Sequence, residues 1–260
     1  MEIVITADGA TAAAIVAGIV ERVLAERPAP VIGLATGSSP LATYSRLIDR
    51  YRAGAISFAR ASAVVLDEYV GLEPDHPQSY RSVVRRELVD HVDLPPNRLF
   101  TPDVHTADLA AACAHYDGLL SELGGVDVQL LGIGGDGHVG FNEPSSSLAS
   151  RTRVKTLTGQ TRADNARFFA DPDDVPRHVV TQGLGTILDA RHLVLVACGA
   201  HKAAPVAAAV EGPVSAMCPA SVLQLHPHAT VVVDEPAASA LRLADYYRET
   251  WEHKPPWQHP

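Results

Sequence analysis

The chain has 260 residues, of which 30 are acidic and 21 basic, giving a formal charge of −9. That length suits one large domain or two small ones and buries roughly 70–75% of the unfolded surface, so no disulfide or metal staple is needed. The acidic balance argues against a general nucleic-acid binder, and an anionic ligand needs a local site that works against the overall field.

Short Val- and Ile-rich runs alternate with amphipathic stretches along the chain. A strand over 3–6 precedes a helix over 11–26. A strand over 31–36 precedes a helix over 40–52. A strand over 63–67 precedes helices over 79–91 and 107–123. Further strands over 126–132, 193–197 and 230–233 are interleaved with helices over 203–211 and 236–250. The runs lack polar alternation, as strands buried on both faces of a parallel sheet do. Strand then helix, repeated, predicts a doubly wound, Rossmann-like α/β fold with a mostly parallel sheet. No linker divides residues 1–250, so one domain is expected. Residues 143–180 show no strong strand pattern and read as an insertion or a lid. The tail 251–260, with three prolines and two tryptophans, is expected to be irregular.

The opening residues, Met1-Glu2-Ile3-Val4-Ile5, carry no basic segment, so no secretory signal is expected, and no early apolar run is long enough for a bilayer span. Cys113, Cys198 and Cys218 form no CxxC pair, which points away from zinc ribbons and disulfide scaffolds and toward a reducing cytoplasm.

Ligands in such sheets sit beyond the carboxyl ends of the strands, and four strand ends are chemically loaded. In Thr36-Gly37-Ser38-Ser39-Pro40 small residues turn the chain into a helix, with Ser39 as N-cap and Pro40 at the first helical position; free amides there favour an anion. The alternative is an ordinary capped turn. In Leu66-Asp67-Glu68-Tyr69 strand geometry turns one carboxylate toward the crevice as a candidate base, leaving the other to solvent or a helix cap. In Gly132-Ile133-Gly134-Gly135-Asp136-Gly137-His138-Val139-Gly140-Phe141-Asn142-Glu143-Pro144 the glycines match GxGxxG. Phe141 and Pro144 break the helix a dinucleotide site requires. A glycine-rich loop gathering Asp136, His138 and Glu143 for proton transfer reads better, with a metal site or a bare turn as alternatives. In Cys198-Gly199-Ala200-His201-Lys202 the lysine is placed to neutralise a phosphate or lies in solvent. His226-Pro227-His228 reads as a surface loop rather than a metal pair. Of Arg162 and Arg167, which do not share a helix face, one is left to reach a ligand.

Together these residues resemble the glucosamine-6-phosphate deaminase family. The blocks are LATGSSP at 34–40, LDEYVGL at 66–72, HPQSYRSVVRREL at 76–88, GIGGDGHVGFNEPSSSLASRTRVKTLT at 132–158, TRADNARFF at 161–169, LDARHLVLVACGAHKA at 188–203, AAVEGPV at 208–214 and LQLHP at 223–227. The resemblance implies a three-layer α/β fold and conversion of glucosamine 6-phosphate to fructose 6-phosphate and ammonia, breaking a C–N bond with no metal or organic cofactor. It implies Asp67 as the base that moves the C2 proton toward C1, and His138, aided by Asp136 and Glu143, as the acid/base for ring opening. It implies Gly37, Ser38, Ser39, Arg167 and Lys202 as a phosphate clamp and 157–180 as a mobile lid. Some members are hexamers activated by N-acetylglucosamine 6-phosphate, and the corresponding Ser146, Ser147, Arg153 and Lys155 are present; other members are monomers. No nucleic-acid or membrane partner is implied. Gly135 and Gly140 replace bulkier residues of some relatives and are expected to loosen the loop. The rival readings are another amino-sugar phosphate as substrate, a 6-phosphogluconolactonase, which shares GxDGH but lacks FNEP, and a silent sugar-phosphate sensor.

Overall fold

The chain opens with β1 (Glu2–Thr6), α1 (Gly9–Glu26), β2 (Val31–Leu34), α2 (Leu41–Arg52), β3 (Ser62–Val65), β4 (Asp67–Tyr69) and α3 (Tyr80–Glu87). It continues with β5 (Leu99–Phe100), α4 (Leu109–Glu122), β6 (Val128–Leu131), β7 (Arg153–Thr156), α5 (Gly159–Ala166) and β8 (His178–Thr181). It closes with α6 (Leu184–Leu188), β9 (Leu193–Ala197), α7 (Ala203–Glu211), β10 (Ala229–Asp234), α8 (Glu235–Ala238) and α9 (Ala244–Glu252). This computed structural model describes residues 1–169 and 171–258. Ala170 of the expected lid and His259 and Pro260 of the tail lie outside the described residues.

Seven strands form one parallel sheet in the order β1-β10-β9-β6-β2-β3-β5. Alternate side chains of each strand enter opposite apolar layers. Ile3, Val64, Leu193, Leu195, Val231 and Val233 pack on one face with Tyr116 and Leu120 of α4 and Leu184 and Ile187 of α6. Val4, Ala63, Val65, Val194, Val196 and Val232 pack on the other with Val16 and Val20 of α1 and Tyr44 and Leu47 of α2. The result is the expected three-layer doubly wound arrangement. Helix starts follow local capping: Asp8 accepts from Thr11 N at 2.7 Å, and Asp108 accepts from Ala111 N at 2.9 Å. Among the described residues no helix is long and apolar enough to cross a membrane.

The strand order reverses between β2 and β6. From β2 the sheet runs to β3, and from β6 it runs to β9 and β10. That switch point is where ligands of open α/β sheets bind. Beside it the chain changes sheets at Leu66. The Leu66 amide still donates to Leu34 O, while Leu66 O accepts from Gln182 N at 2.9 Å. Past that residue, β4, β8 and β7 form a separate antiparallel sheet in which Asp67 lies opposite Thr181.

Several expected boundaries are corrected. The 143–180 stretch contains β7 and the start of β8; β7 reads Arg-Val-Lys-Thr with no buried position, so it carries no apolar signal. The 63–67 run ends at Val65, and Asp67 belongs to β4. The helix at Thr36-Gly37-Ser38-Ser39 starts at Leu41 with Pro40 as N-cap and no side-chain cap, so Ser39 does not cap it. The helix over 236–250 is two helices. The Glu211 carboxylate takes the Arg242 and Leu243 amides at 3.0 and 2.9 Å, which starts α9 separately. The tail is not wholly irregular, because α9 runs through Trp251 and Pro256–Gln258 form a 3₁₀ turn.

Removing that cap by Glu211→Ala is expected to destabilise the chain by about 1 kcal/mol, seen as a lower denaturant midpoint at unchanged slope. An unchanged midpoint would show that α9 starts without it.

Candidate active site

A cavity of about 330 Å³ opens at the switch point. Gly37, Ser38 and Ser39 line it from the end of β2, Asp67 from β4, Gly132, Gly134 and His138 from the end of β6, Arg167 from the end of α5, and Lys202 from the start of α7. Five segments far apart in sequence therefore meet at the switch point.

One side of the cavity is cationic. Lys202 Nζ donates to Ile133 O at 2.7 Å. Its ammonium is held below the usual lysine range by burial and by the neighbouring Arg167 charge. Two like charges that weaken each other in a half-buried cleft are compensated by a bound anion, and the Gly37-Ser38-Ser39 turn stands on the same cavity. Arg162, by contrast, donates to Val175 O and Asp173 O and holds the segment around α5 together. Arg167 is thus the one of the two arginines that faces the cavity.

The acids come from β4 and from the loop after β6. Asp67 is 3% exposed. Burial and the adjacent Glu68 charge push its carboxyl well above the usual aspartate range. Glu68 turns away and accepts the Tyr69, Tyr80 and Arg81 amides, which is the helix-cap alternative left open by strand alternation. His138 Nδ1 lies 2.6 Å from Asp136 Oδ1. The hydrogen bond to His138 is also the main cause that holds Asp136 below the usual range. An ionised Asp136 fixes the proton on Nδ1 and leaves Nε2 to exchange a proton with a ligand. The ring lies where a Cβ on Gly134 would sit, 2.1 Å from Cε1, so only glycine fits there.

Glu143 joins this group less directly than expected. It is 8% exposed, and its carboxylate accepts a hydrogen bond from Thr161 Oγ1 of α5. The glycine-rich loop therefore pairs Asp136 with His138 and delivers Glu143 to α5. Gly140 does not loosen the loop. At φ +57° its missing Cβ admits Thr181 Oγ1 and the Asp67 carboxylate, which a Cβ would meet at 3.0 and 3.4 Å. Asn142 and Phe141 N pin the same loop to Gln182 O and Thr181 Oγ1. Gly135 faces open space.

Ser146, Ser147, Arg153 and Lys155 do not line the cavity. The Ser146 hydroxyl is buried with no hydrogen-bond partner among the described residues. Arg153 donates to Asn142 Oδ1 at 2.8 Å, and burial lowers its pKa. The HPH segment is the expected surface loop, with Pro227 and His228 exposed; only His226 is buried, held by Ala190 O at its Nε2, while His228 stacks on His192. Among the described residues no group of three or more His, Cys, Asp or Glu side chains is placed to hold a metal ion.

Sequence reasoning missed an aromatic wall. Tyr69, Tyr80, Phe141 and Phe169 pack at centroid distances of 4.8 to 6.0 Å and all line the cavity. Phe169 is partly buried against Tyr69, whereas its neighbour Phe168 is exposed. Only the placement of Tyr69 and Phe141 inside loaded motifs signals this wall.

An open α/β fold with an anion cradle, a buried carboxylate and an Asp–His pair in one cleft defines an enzyme of small anionic substrates that works by proton transfer. The profile of the family described as glucosamine-6-phosphate isomerases/6-phosphogluconolactonase matches residues 7–233. The chain belongs to that family. It is 58% identical over 258 residues to the glucosamine-6-phosphate deaminase of Arthrobacter sp. (strain FB24), covering 99% of both chains. It is 60% identical to that of Rhodococcus opacus (strain B4), with the same coverage. A solved monomeric glucosamine-6-phosphate deaminase superposes with a TM-score of 0.90 at 42% identity, covering 92% of this chain and 100% of its own. A 6-phosphogluconolactonase from Trypanosoma brucei shares the fold, with a TM-score of 0.73 at 21% identity over 92% of this chain and 98% of its own.

Inorganic phosphate is expected to raise the thermal midpoint, the gain approaching about 2.7 kcal/mol at a hundredfold excess over its Kd. Lys202→Ala should remove most of that gain; full retention would take Lys202 out of the anion cradle.

Proposed function

We propose that the chain converts glucosamine 6-phosphate and water to fructose 6-phosphate and ammonia, as a step of amino-sugar catabolism. The observation that carries this is the meeting, in one cleft, of a buried carboxylate, an Asp–His pair and two neighbouring cations that form no ion pair within 4 Å among the described residues. Arg167, Lys202 and the Gly37-Ser38-Ser39 turn hold the phosphate. That contact anchors the far end of the sugar and sets C1 and C2 near the acids. His138 Nε2 accepts the proton of the C1 hydroxyl and returns one to the ring oxygen, opening the ring, while Asp136 steadies the imidazolium. Asp67 then removes the C2 proton, now α to the C1 carbonyl, as the C1 oxygen takes up a proton, and returns it to C1 as the amine gives up one of its own. The resulting C2 imine takes up water and releases ammonia. Glu143, held by Thr161, supports the loop from the lid side. Closure of 157–180 over the cavity shields the enediol-type intermediate. A free carboxyl raised by burial is the stronger base. Activity therefore falls as pH drops through the raised Asp67 pKa, above the ordinary carboxylate range.

The Ser146, Ser147, Arg153 and Lys155 group is the proposed effector site for N-acetylglucosamine 6-phosphate. An unpartnered buried hydroxyl and a half-buried guanidinium with no carboxylate partner among the described residues suit a phosphate. In the family such regulation goes with a hexamer, so effector response and assembly are tested together. The cysteines are unpaired, which fits a reducing cytoplasm.

The test is release of ammonia and fructose 6-phosphate from glucosamine 6-phosphate, in EDTA, with and without N-acetylglucosamine 6-phosphate. Equal release of both products is expected, and a lower apparent KM with effector accompanied by a hexameric mass supports the second site. No release would redirect the reading to the 4-epimeric substrate. Asp67→Asn should abolish release while keeping phosphate binding. A raised folded-state pKa makes ionisation costly as pH climbs through it, so the same variant should be more heat-stable at pH 7 by about 2 °C or more. Lost binding would make Asp67 structural instead. His138→Gln should depress turnover of the ring form more than of an open-chain analogue; equal losses would count against ring opening.

A further inference from the structure

Glu68 has no role in the chemistry above, yet it is 4% exposed, as buried as Asp67 beside it. Its Oε1 accepts the amides of Tyr69 and Tyr80 at 2.9 and 2.8 Å, and its Oε2 accepts that of Arg81 at 2.9 Å. Tyr80 and Arg81 open α3, whose first turn is already capped by Ser79 at Ser82 N. The helix start is thus bonded twice, once locally and once across to β4. Tyr80 carries the consequence into the cavity. Its ring lies parallel to Phe141 at 6.0 Å, and its hydroxyl meets Tyr69 Oη at 3.4 Å and also bonds Thr36 at the edge of the anion cradle.

We propose that Glu68 is a positioning residue for the reaction: from the back of β4 its carboxylate clamps the start of α3 and the aromatic wall to the strand that bears Asp67, and it places a fixed negative charge behind the base. The titratable groups facing the pair are Tyr69 on β4, Tyr80 on α3, Tyr116 on α4 and, beyond Glu68, His105. The tyrosines are buried and stay neutral, Tyr69 being pushed up to about 12 by desolvation. Among the described residues His105, which does not line the cavity, is the one basic group that acts on Glu68, and the cavity cations Arg167 and Lys202 do not. Three amides favour its ionised form and partly offset the upward push of burial. The charge then acts on Asp67 in a low-dielectric setting and strengthens it as a base.

The inference rests on Asp67 as the base, so Asp67→Asn is measured alongside. The readout is kcat/KM for ammonia release against pH. Glu68→Gln keeps the shape and removes the charge. Its kcat/KM at neutral pH should fall about 10- to 100-fold, and the acid limb should move to lower pH. A profile that superimposes on the wild type overturns the proposal, as does a loss with the acid limb unmoved, which is what a mere helix cap would give. If Glu68→Gln does not fold, Glu68→Asp decides, since it keeps the charge and shortens the clamp. There kcat should fall with KM held within about twofold; no loss, or a loss shared equally by both, overturns it. Turnover retained in Asp67→Asn would bring down the base assignment first. An inactive Asp67→Asn beside a wild-type-like Glu68→Gln would sink only the positioning role.

Discussion

Keeping a carboxylate out of water is the demand around which this molecule is arranged. An unpaired buried charge costs several kcal/mol, and Asp67 sits at the corner where the chain leaves the parallel sheet for the antiparallel one. Neither sheet alone would place it there. The parallel sheet ends β3 at the switch point, and β8 then turns Asp67 inward opposite Thr181. Gly140 lets the catalytic loop close over it, and the tyrosines exclude solvent. The fold's large apolar layers supply the stability against which that cost is set.

The same cleft reverses the electrostatics of the whole chain. Overall the protein is acidic, yet Arg167 and Lys202 approach each other closely enough to lower the lysine's pKa. Asp136 favours the Lys202 charge that Arg167 opposes, and the buried Asp67 carboxyl lines the same cavity. A ligand carrying a phosphate at one end and an exchangeable proton at the other meets both requirements in one orientation.

Much of this was legible from residue patterns because its causes are local. Val- and Ile-rich runs announce doubly buried strands, and the glycines, serines and acids after them mark the cavity rim. What escaped depends on distant partners. β7 has one apolar residue, Val154, and no buried position, and only pairing with β8 makes it a strand. The break before α9 comes from Glu211, a residue of another helix. Glu143 sits at the end of the glycine-rich motif, yet α5 decides its hydrogen-bond partner. The aromatic wall unites residues from four separate segments, and no spacing rule links Tyr80 to Phe169. His226 is buried by Ala190, which lies far along the chain.

The pairing of the first strand with the last has a consequence for how the protein is made. Glu2 lies beside Thr230, and Thr6 beside Asp234. On a ribosome adding about 5–20 residues per second, β1 emerges about 10–50 s before its partner exists. Until then its backbone edge has no partner, because β1 pairs with β10 alone in the sheet. Such long-range parallel pairing is also the slow kind. The nascent chain therefore carries β1 with an unpaired edge until residues 229–234 have been made, and the strand joins the sheet only then.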